Sequence, residues 1–239
     1  MTEPLTLVLI HGHGVDASIW NGIDADLVSV MPVLKPDFSR LTTRTTIEGY
    51  AEELMNYLRT VQAHRVVLVG HSMGGYMALA FAERYPALVA GLVLYHSTAT
   101  ADTAERKEQR QKTIGELREQ GSAPFIEKQM PKMVAASYPA EKIEPLIDQY
   151  RALPANALAV GMTAIMGRPD RTHILREATV PMRLVLGKED QVIPCEKTQQ
   201  LADLSEQIDL ALIDQAGHLS MVEQPEASVN ALRSFLDRL

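Results

Sequence analysis

One short stretch constrains the fold of this chain more than any other. Residues 69–75 have the sequence VGHSMGG, in which glycines stand two positions before and two positions after Ser72. A continuous apolar run precedes the stretch at 65–69, and a helical pattern follows it at 72–84. Glycines at these positions allow a turn too tight for side chains. The stretch therefore predicts a serine on a sharp strand-to-helix turn; the alternative is a glycine-rich turn without chemistry.

Short apolar runs alternate with helical patterns along most of the chain. The strand-like runs lie at 5–10, 65–69, 91–95, 182–186 and 208–213, with a weaker run at 28–34. Apolar runs without alternation are typical of parallel strands covered by helices on both faces, and the more alternating run at 208–213 favours an edge. The pattern predicts an α/β fold with a doubly wound, mostly parallel sheet of about six strands.

The segment 99–168 interrupts this alternation, since it contains helical patterns and no strand-like run. We predict an α/β core formed by 1–98 and 169–239, with 99–168 as a helical cap. Residues 101–120 carry five acids and five bases. The simplest interpretation of so many charges on one helix is a solvated face.

Composition narrows the classes of partner. The 239 residues carry a formal net charge of −7 without a basic cluster, so we expect no nucleic-acid partner. A lone cysteine, Cys195, excludes an internal disulfide and is typical of a reducing compartment. The start, residues 1–4, contains an acid where a signal peptide is basic, and the longest apolar run, 87–95, is about half of a membrane span. We expect a cytoplasmic protein without a membrane partner. The sequence does not indicate how many subunits the protein has.

A serine hydroxyl is a poor nucleophile, so Ser72 requires a base, and the base requires an acid that orients it. Asp190 follows the penultimate strand-like run, and His218 follows the last one. Both then lie at carboxyl ends of parallel strands, where open α/β sheets gather their sites. We predict Ser72 as nucleophile, His218 as base and Asp190 as acid, with Glu189 as the alternative acid.

The first strand-like run leads into residues 11–14, HGHG, which could offer backbone N–H groups to a developing oxyanion. The expected donors are the amides of His13 and Met73. A rival interpretation makes His11 and His13 metal ligands, but zinc needs three or four ligands and the other histidines lack paired spacing. We therefore expect no metal and no organic cofactor. His96 ends a strand, where packing is the favoured role and proximity to the pocket is the alternative.

Four motifs together resemble the α/β-hydrolase superfamily. LIHGHG, VGHSMGG, LGKEDQVIP and QAGHLSMVEQP are similar to its oxyanion loop, nucleophile elbow, acid loop and histidine loop, and the resemblance covers essentially the whole chain. The sequence most resembles small cytoplasmic carboxylesterases and lactonase-like or haloperoxidase-like members. The resemblance implies a helical cap after the strand that ends near His96. It also implies that the first two strands of the fold are missing.

By resemblance, the chain is a serine hydrolase that cleaves small carboxylic esters through an acyl-enzyme, since relatives with other chemistries carry an aspartate or cysteine in place of Ser72. We expect uncharged, largely apolar esters, because acids match the bases of the cap. Lactone or C–C bond hydrolysis, or a ligand-binding receptor that retains the triad, are the alternatives. Six apolar residues are candidates for an acyl pocket, although packing within the cap is the favoured role for most. They are Phe125, Met130, Met133, Met162, Ile165 and Met166.

Overall fold

A computed structural model describes residues 4–239, in which six strands form one sheet. The strands are β1 (Thr6–Ile10), β2 (Val33–Leu34), β3 (Val66–His71), β4 (Val89–Tyr95), β5 (Met182–Gly187) and β6 (Ile208–Ile213). Their order is β2-β1-β3-β4-β5-β6, and every neighbouring pair is parallel. The predicted fold class is confirmed.

The helices occupy the connections between these strands. They are α1 (Asp24–Val28), α2 (Ile47–Thr60), α3 (Met73–Arg84), α4 (Ala104–Gln120), α5 (Ala123–Met133), α6 (Ile143–Tyr150), α7 (Ala155–Gly167), α8 (Thr172–Arg176), α9 (Cys195–Thr198), α10 (Ser220–Glu223) and α11 (Pro225–Leu236). Short 3₁₀ turns lie at Ala17–Trp20, Pro86–Leu88, Ala140–Lys142 and Gln199–Leu204.

Most strand boundaries lie within two residues of those expected from the apolar runs. The weak run at 28–34 is the exception, because its first residue ends α1 and only Val33–Leu34 pairs with β1. β6 lies at an edge of the sheet, as its alternation predicted. A strand with one partner and one partly exposed face needs fewer apolar side chains, which is why its pattern alternates.

Successive side chains of the central strands point into two different apolar layers. Leu7 and Leu9 of β1 belong to one buried cluster, while Val8 and Ile10 belong to the other. This is the period of two expected for a sheet that is buried on both faces. α2 and α3 pack in the second layer and α11 in the first.

Between β4 and β5, the structure describes only helices and turns, with α4 packed along α7. An ion-pair cluster fixes the base of this segment: buried Asp102 accepts from Arg168 Nη2 at 2.9 Å and from Arg110 Nε at 2.5 Å. Burial would raise the pKa of Asp102, but the two guanidinium groups hold it below its ordinary value. The domain limits at 98/99 and 168/169 stay predictions.

Two expectations concern location: that the chain does not span a membrane and that it carries no export signal. Within residues 4–239, no helix combines the length and apolarity that crossing a bilayer demands. Residues 1–3, on which the expectation of no export signal partly depends, lie outside the described residues.

Candidate active site

Ser72 lies on a strained turn between β3 and α3. Its backbone has φ 51° and ψ −115°, in the left-handed region that non-glycine residues rarely adopt. A Cβ at Gly70 would lie 2.3 Å from the Gly74 carbonyl oxygen, and a Cβ at Gly74 would lie 2.5 Å from the Ile10 oxygen. Only glycine at both positions lets β3 turn directly into α3 beside β1. The predicted strand-to-helix turn is therefore present, and Ser72 precedes the helix.

The end of β4 holds this turn in place. The Ser72 amide donates to the Tyr95 carbonyl at 3.0 Å, and the Ser72 carbonyl accepts from the Ser97 hydroxyl at 2.7 Å. The Gly75 amide donates to the same carbonyl at 2.9 Å. Hydrogen bonds on both sides of a strained residue stabilise a conformation that the isolated chain would leave.

Asp190 and His218 form a buried pair. Asp190 Oδ2 lies 2.8 Å from His218 Nδ1, and both side chains are 1% exposed. Burial alone would raise the pKa of Asp190, but the charges and hydrogen bonds of His218 and His96 hold that pKa well below its ordinary value. The ionised carboxylate accepts a hydrogen bond, so Nδ1 of His218 carries the proton and Nε2 of a neutral ring is an acceptor.

Backbone amides fix the other oxygen of this carboxylate. Asp190 Oδ1 accepts from the Val192 amide at 2.8 Å and from the Ile193 amide at 2.9 Å. The neighbouring Glu189 is half-buried, and the carboxylate that contacts His218 belongs to Asp190. The geometry thus favours Asp190 over Glu189 as the partner of His218.

His71, inside the turn, contacts the histidine loop. Its Nε2–H donates to the His218 carbonyl at 2.9 Å, and the two rings are 4.8 Å apart between centroids. The histidine loop is also held from the cap, because the His218 amide donates to the Met133 carbonyl at 2.8 Å. Burial, together with the nearby histidines, lowers the pKa of His71 well below its ordinary value, so this ring is neutral. His71 therefore positions the loop that carries His218.

His96 also contacts Asp190, which the sequence did not predict. Its Nδ1 lies 3.2 Å from Asp190 Oδ2, and its Nε2 lies 2.6 Å from Ser220 Oγ. Ser220 Oγ is 2.7 Å from the Tyr95 hydroxyl, which donates to Ser228 Oγ at 2.7 Å. The ring is fully buried and has a positive φ of 47°. The signal was available: β4 ends between the strands that carry Ser72 and Asp190.

The loop after β1 runs beside Ser72. A Cβ at Gly12 would lie 2.7 Å from His71 Nδ1 and 3.0 Å from Ser72 Cβ, so glycine is needed for this approach. The next residue is His13, and Met73 is the first residue of α3, whose amide has no partner within the helix. Among the hydrogen bonds described for residues 4–239, neither the His13 nor the Met73 amide donates to a protein acceptor.

The side chains of His11 and His13 are engaged in separate contacts. His11 Nδ1 donates to the Gly12 carbonyl at 2.8 Å, and its Nε2 accepts from the Phe38 amide at 2.9 Å. His13 Nε2 donates to the Leu158 carbonyl at 2.8 Å. Burial, with a smaller contribution from the charge of Arg110, lowers the pKa of His13 to about 4, although the bond to Leu158 opposes this shift.

A metal could be held by one cluster in the described part of the chain. Ligand atoms of His96, Asp190 and His218 lie within 4.8 Å of one another. The same atoms are already joined by the two hydrogen bonds to Asp190 Oδ2. His11 and His13 belong to no such cluster within residues 4–239.

Ser72 and His218 open onto one cavity of about 350 Å³ beneath the helices α4 and α5. We call the loops that carry Ser72, Asp190 and His218 the floor of this cavity, and the cavity-lining residues of α4 and α5 its mouth. Of the six candidate pocket residues, for most of which packing was the favoured role, Met130 and Met166 do not line the cavity. The others do: Phe125, Met133, Met162 and Ile165.

The mouth carries an excess of positive charge. Four of its residues are basic and a single one is acidic: Arg106, Arg110, Lys128, Lys132 and Glu116. Arg106 is exposed and Arg110 is half-buried, so charges of the segment 101–120 that were expected to form a solvated face also line the cavity. Acids and bases are equal in number in the segment 101–120, and this balance does not indicate which of the charged residues lie on the side of α4 that faces the cavity.

Comparison with known proteins places this geometry in a family. The alpha/beta hydrolase family model matches residues 7–232. A Pseudomonas hydrolase of 2-hydroxy-6-oxononadienedioate and 2-hydroxy-6-oxononatrienedioate is 24% identical over 97% of this chain and 88% of its own. By contrast, the chain spans only 28% of the length of uncharacterized relatives from Mycobacterium bovis and Mycobacterium tuberculosis, which are 34% identical over 94 residues.

Two solved structures have nearly the same fold. A thermophilic esterase from Thermogutta terrifontis, with malate bound, is 29% identical with a TM-score of 0.92, covering 98% of this chain and 90% of its own. The enol-lactonase from Burkholderia xenovorans LB400 is 21% identical with a TM-score of 0.86, covering 99% and 92%. On the match over residues 7–232, the chain belongs to the alpha/beta hydrolase family.

Proposed function

We propose that this protein is a serine hydrolase that cleaves carboxylic esters through an acyl-enzyme. One observation carries the proposal: the strained Ser72 lines the same cavity as His218, whose ring is paired with the buried Asp190. A hydroxyl, a neutral imidazole and an ionised carboxylate are the three groups that nucleophilic catalysis by serine requires.

Each floor residue has a role that follows from its contacts. His218 is the base, because its Nδ1 is committed to Asp190 and its Nε2 is left to accept the Ser72 proton. Asp190 orients the ring and stabilises the imidazolium that forms during the reaction. His71 and His96 are positioning residues, since they contact the His218 backbone and the Asp190 carboxylate.

The amides of His13 and Met73 are the oxyanion donors in this proposal. Both belong to backbone that approaches Ser72, one in the loop after β1 and one at the start of α3. Donors fixed before the reaction stabilise the negative charge that develops on the carbonyl oxygen, and the loss of one such donor commonly costs about 10²–10³ in kcat.

The reaction proceeds in two balanced steps. Ser72 Oγ attacks the ester carbonyl carbon as Nε2 of His218 takes the hydroxyl proton, and the bond to the alcohol oxygen breaks as His218 returns that proton to the alcohol. A water molecule then attacks the acyl carbon and gives a proton to His218. The bond to Ser72 breaks, Ser72 regains its proton, and a carboxylic acid leaves. Neither step requires a metal or an organic cofactor.

The relatives support this chemistry and define its rivals. The Thermogutta terrifontis esterase shares the fold over 98% of this chain, and the Pseudomonas hydrolase matches 97% of this chain's sequence. Lactone opening and C–C bond hydrolysis use the same groups, so fold analogy does not choose between bond types. Ester cleavage is the proposal because the Thermogutta terrifontis esterase is 29% identical to this chain with a TM-score of 0.92. A small-molecule ester is the partner that we propose.

The experiment is a substrate panel assayed with wild type and Ser72→Ala. The panel contains an aryl ester, a lactone and a C–C diketone. We expect wild type to cleave the aryl ester, and Ser72→Ala to lose roughly 10⁴-fold or more in kcat/KM while it keeps the wild-type thermal midpoint. Ser205→Ala, remote from the cavity, is the matched control.

Three outcomes would contradict all or part of the proposal. Wild-type activity in Ser72→Ala would remove Ser72 as the nucleophile. Binding of panel members without turnover by wild type would favour the receptor alternative. Turnover of the diketone or lactone alone would keep the triad and replace the ester as substrate.

A further inference from the structure

We propose that the ester carries a carboxylate, which pairs with Arg106 and Lys132 at the mouth of the cavity. The proposal names the substrate class of the site above and rests on the proposed function. It replaces the expectation of an uncharged substrate, which depended on the balance of acids and bases in the sequence.

Two of the four cations at the mouth already have carboxylate partners. Arg110 is bound to buried Asp102 and places Nη1 3.3 Å from the sulfur of Met162. Lys128 lies 3.8 Å from Glu116. These two cations are therefore at least partly neutralised by carboxylates of the chain itself.

Arg106 and Lys132 differ from them. Neither lies within 4.0 Å of a carboxylate oxygen in the described residues. The one hydrogen bond described for Arg106 joins its Nη2 to the Val192 carbonyl at 3.4 Å. Val192 itself lines the cavity, so the guanidinium is held at the wall with other N–H donors left for a ligand.

Each cation neighbours a residue that contacts the Asp190–His218 pair. Arg106 contacts Val192, whose amide donates to Asp190. Lys132 adjoins Met133, whose carbonyl accepts from the His218 amide. An anion bound between them would therefore lie near the reacting groups and also orient the ester over Ser72.

The charge of the whole chain makes this arrangement selective. The net charge is −7, so most of the surface repels an anion, whereas the mouth attracts one. Attraction between partly exposed charges weakens as salt screens it. A carboxylate on the ester should therefore raise kcat/KM at low ionic strength more than at high ionic strength.

The test compares two esters of the same phenol: 4-nitrophenyl butyrate, which is neutral, and mono-4-nitrophenyl succinate, which carries a carboxylate. The ratio of their kcat/KM values, anionic over neutral, is measured for wild type and for Arg106→Gln, Lys132→Gln and the double variant. Matched controls are Arg118→Gln and Lys112→Gln, which lie on α4 and do not line the cavity. A second pair, 4-acetoxybenzoate and its methyl ester, places the carboxylate on the leaving group.

We expect the ratio to fall about 5- to 10-fold in the double variant for at least one pair, because an exposed ion pair contributes only modestly. The controls should keep the wild-type ratio, and salt should lower the wild-type ratio. A ratio in the double variant equal to wild type for both pairs overturns this inference and leaves ester hydrolysis standing. Wild type that cleaves none of the four esters overturns the proposed function, and this inference with it.

Discussion

The floor and the mouth of the cavity differ in how tightly their backbone is packed against neighbouring segments. At the floor, Gly70 and Gly74 each contact another segment so closely that no side chain fits, as does Gly12 in the adjoining loop, and Ser72 is strained. On α4, which carries part of the mouth, a Cβ at Gly115 would meet nothing within 4 Å. The floor is buried and its histidines contact each other, whereas the mouth is exposed and carries charges. Chemistry that depends on position therefore belongs to the floor, and substrate choice belongs to the mouth.

The largest effect should follow a change of one atom at the floor. Asp190→Asn leaves the shape of the side chain but removes the negative charge that orients His218, so we expect kcat to fall roughly 10⁴-fold on a neutral aryl ester. Glu189→Gln, one residue earlier, is the matched control and should keep near-wild-type kcat. The reverse ranking of the two variants would move the acid to Glu189.

A methyl group at the floor should destabilise the fold. In Gly70→Ala the new Cβ would lie 2.3 Å from the Gly74 carbonyl oxygen, which belongs to backbone and cannot move independently of α3. We expect the free energy of unfolding in urea to fall by about 3 kcal/mol or more. Stability equal to wild type would mean that the turn is not as tight as described.

The pH dependence of stability tests the burial of His13, at the edge of the floor. The pKa of this ring is lowered to about 4, so between its unfolded value near 6.5 and about 4 the unfolded chain binds a proton that the folded chain does not. Stability is therefore full above this window and declines as pH falls through it, by roughly 3 kcal/mol for this group.

Urea unfolding across this pH window, for wild type and His13→Gln, measures that contribution. The variant should lose less stability than wild type between the two limits, whereas His64→Gln, at an exposed position, should behave as wild type. Identical pH dependence in wild type and His13→Gln would show that His13 titrates at its ordinary pKa.

The smallest effect should come from the mouth helix. Gly115→Ala replaces a glycine inside α4, where a Cβ has open space, so it should raise the free energy of unfolding by about 0.5–1 kcal/mol. Gly161→Ala in α7 is the matched control, because its Cβ would lie 3.0 Å from His13 Cδ2 and the gain should be lost. A loss of stability in Gly115→Ala would remove the contrast between floor and mouth.

The difference between the two regions also explains which features the sequence predicted. The parallel sheet, the turn at Ser72 and the pairing of Asp190 with His218 follow from the apolar runs, from glycine spacing and from the rule that the carboxyl ends of parallel strands gather at one edge of the sheet. His96 was assigned to packing, although it contacts Asp190 across neighbouring strands. That contact depends on the positive φ of His96 itself, which the residue types of this strand-like run do not predict.

The charges of the mouth were predicted least well. Arg106 and Arg110 lie in the segment 101–120, which carries five acids and five bases, so the sum of its charges suggests neutrality. Which of them face the cavity depends on how α4 packs along α7, which the order of charges in the sequence does not specify. The weak strand-like run at 28–34 was predicted too long. Its first residue, Val28, ends α1, and only Val33–Leu34 pairs with β1.

The most direct test of the central claim is to trap the nucleophile. Wild type treated with a fluorophosphonate should carry a single adduct, located by peptide mass spectrometry on Ser72, and the adduct should be absent in Ser72→Ala. His218→Gln should form the adduct far more slowly, because the base that takes the serine proton is missing. An adduct on another residue, or equal labelling of Ser72→Ala and wild type, would contradict the account.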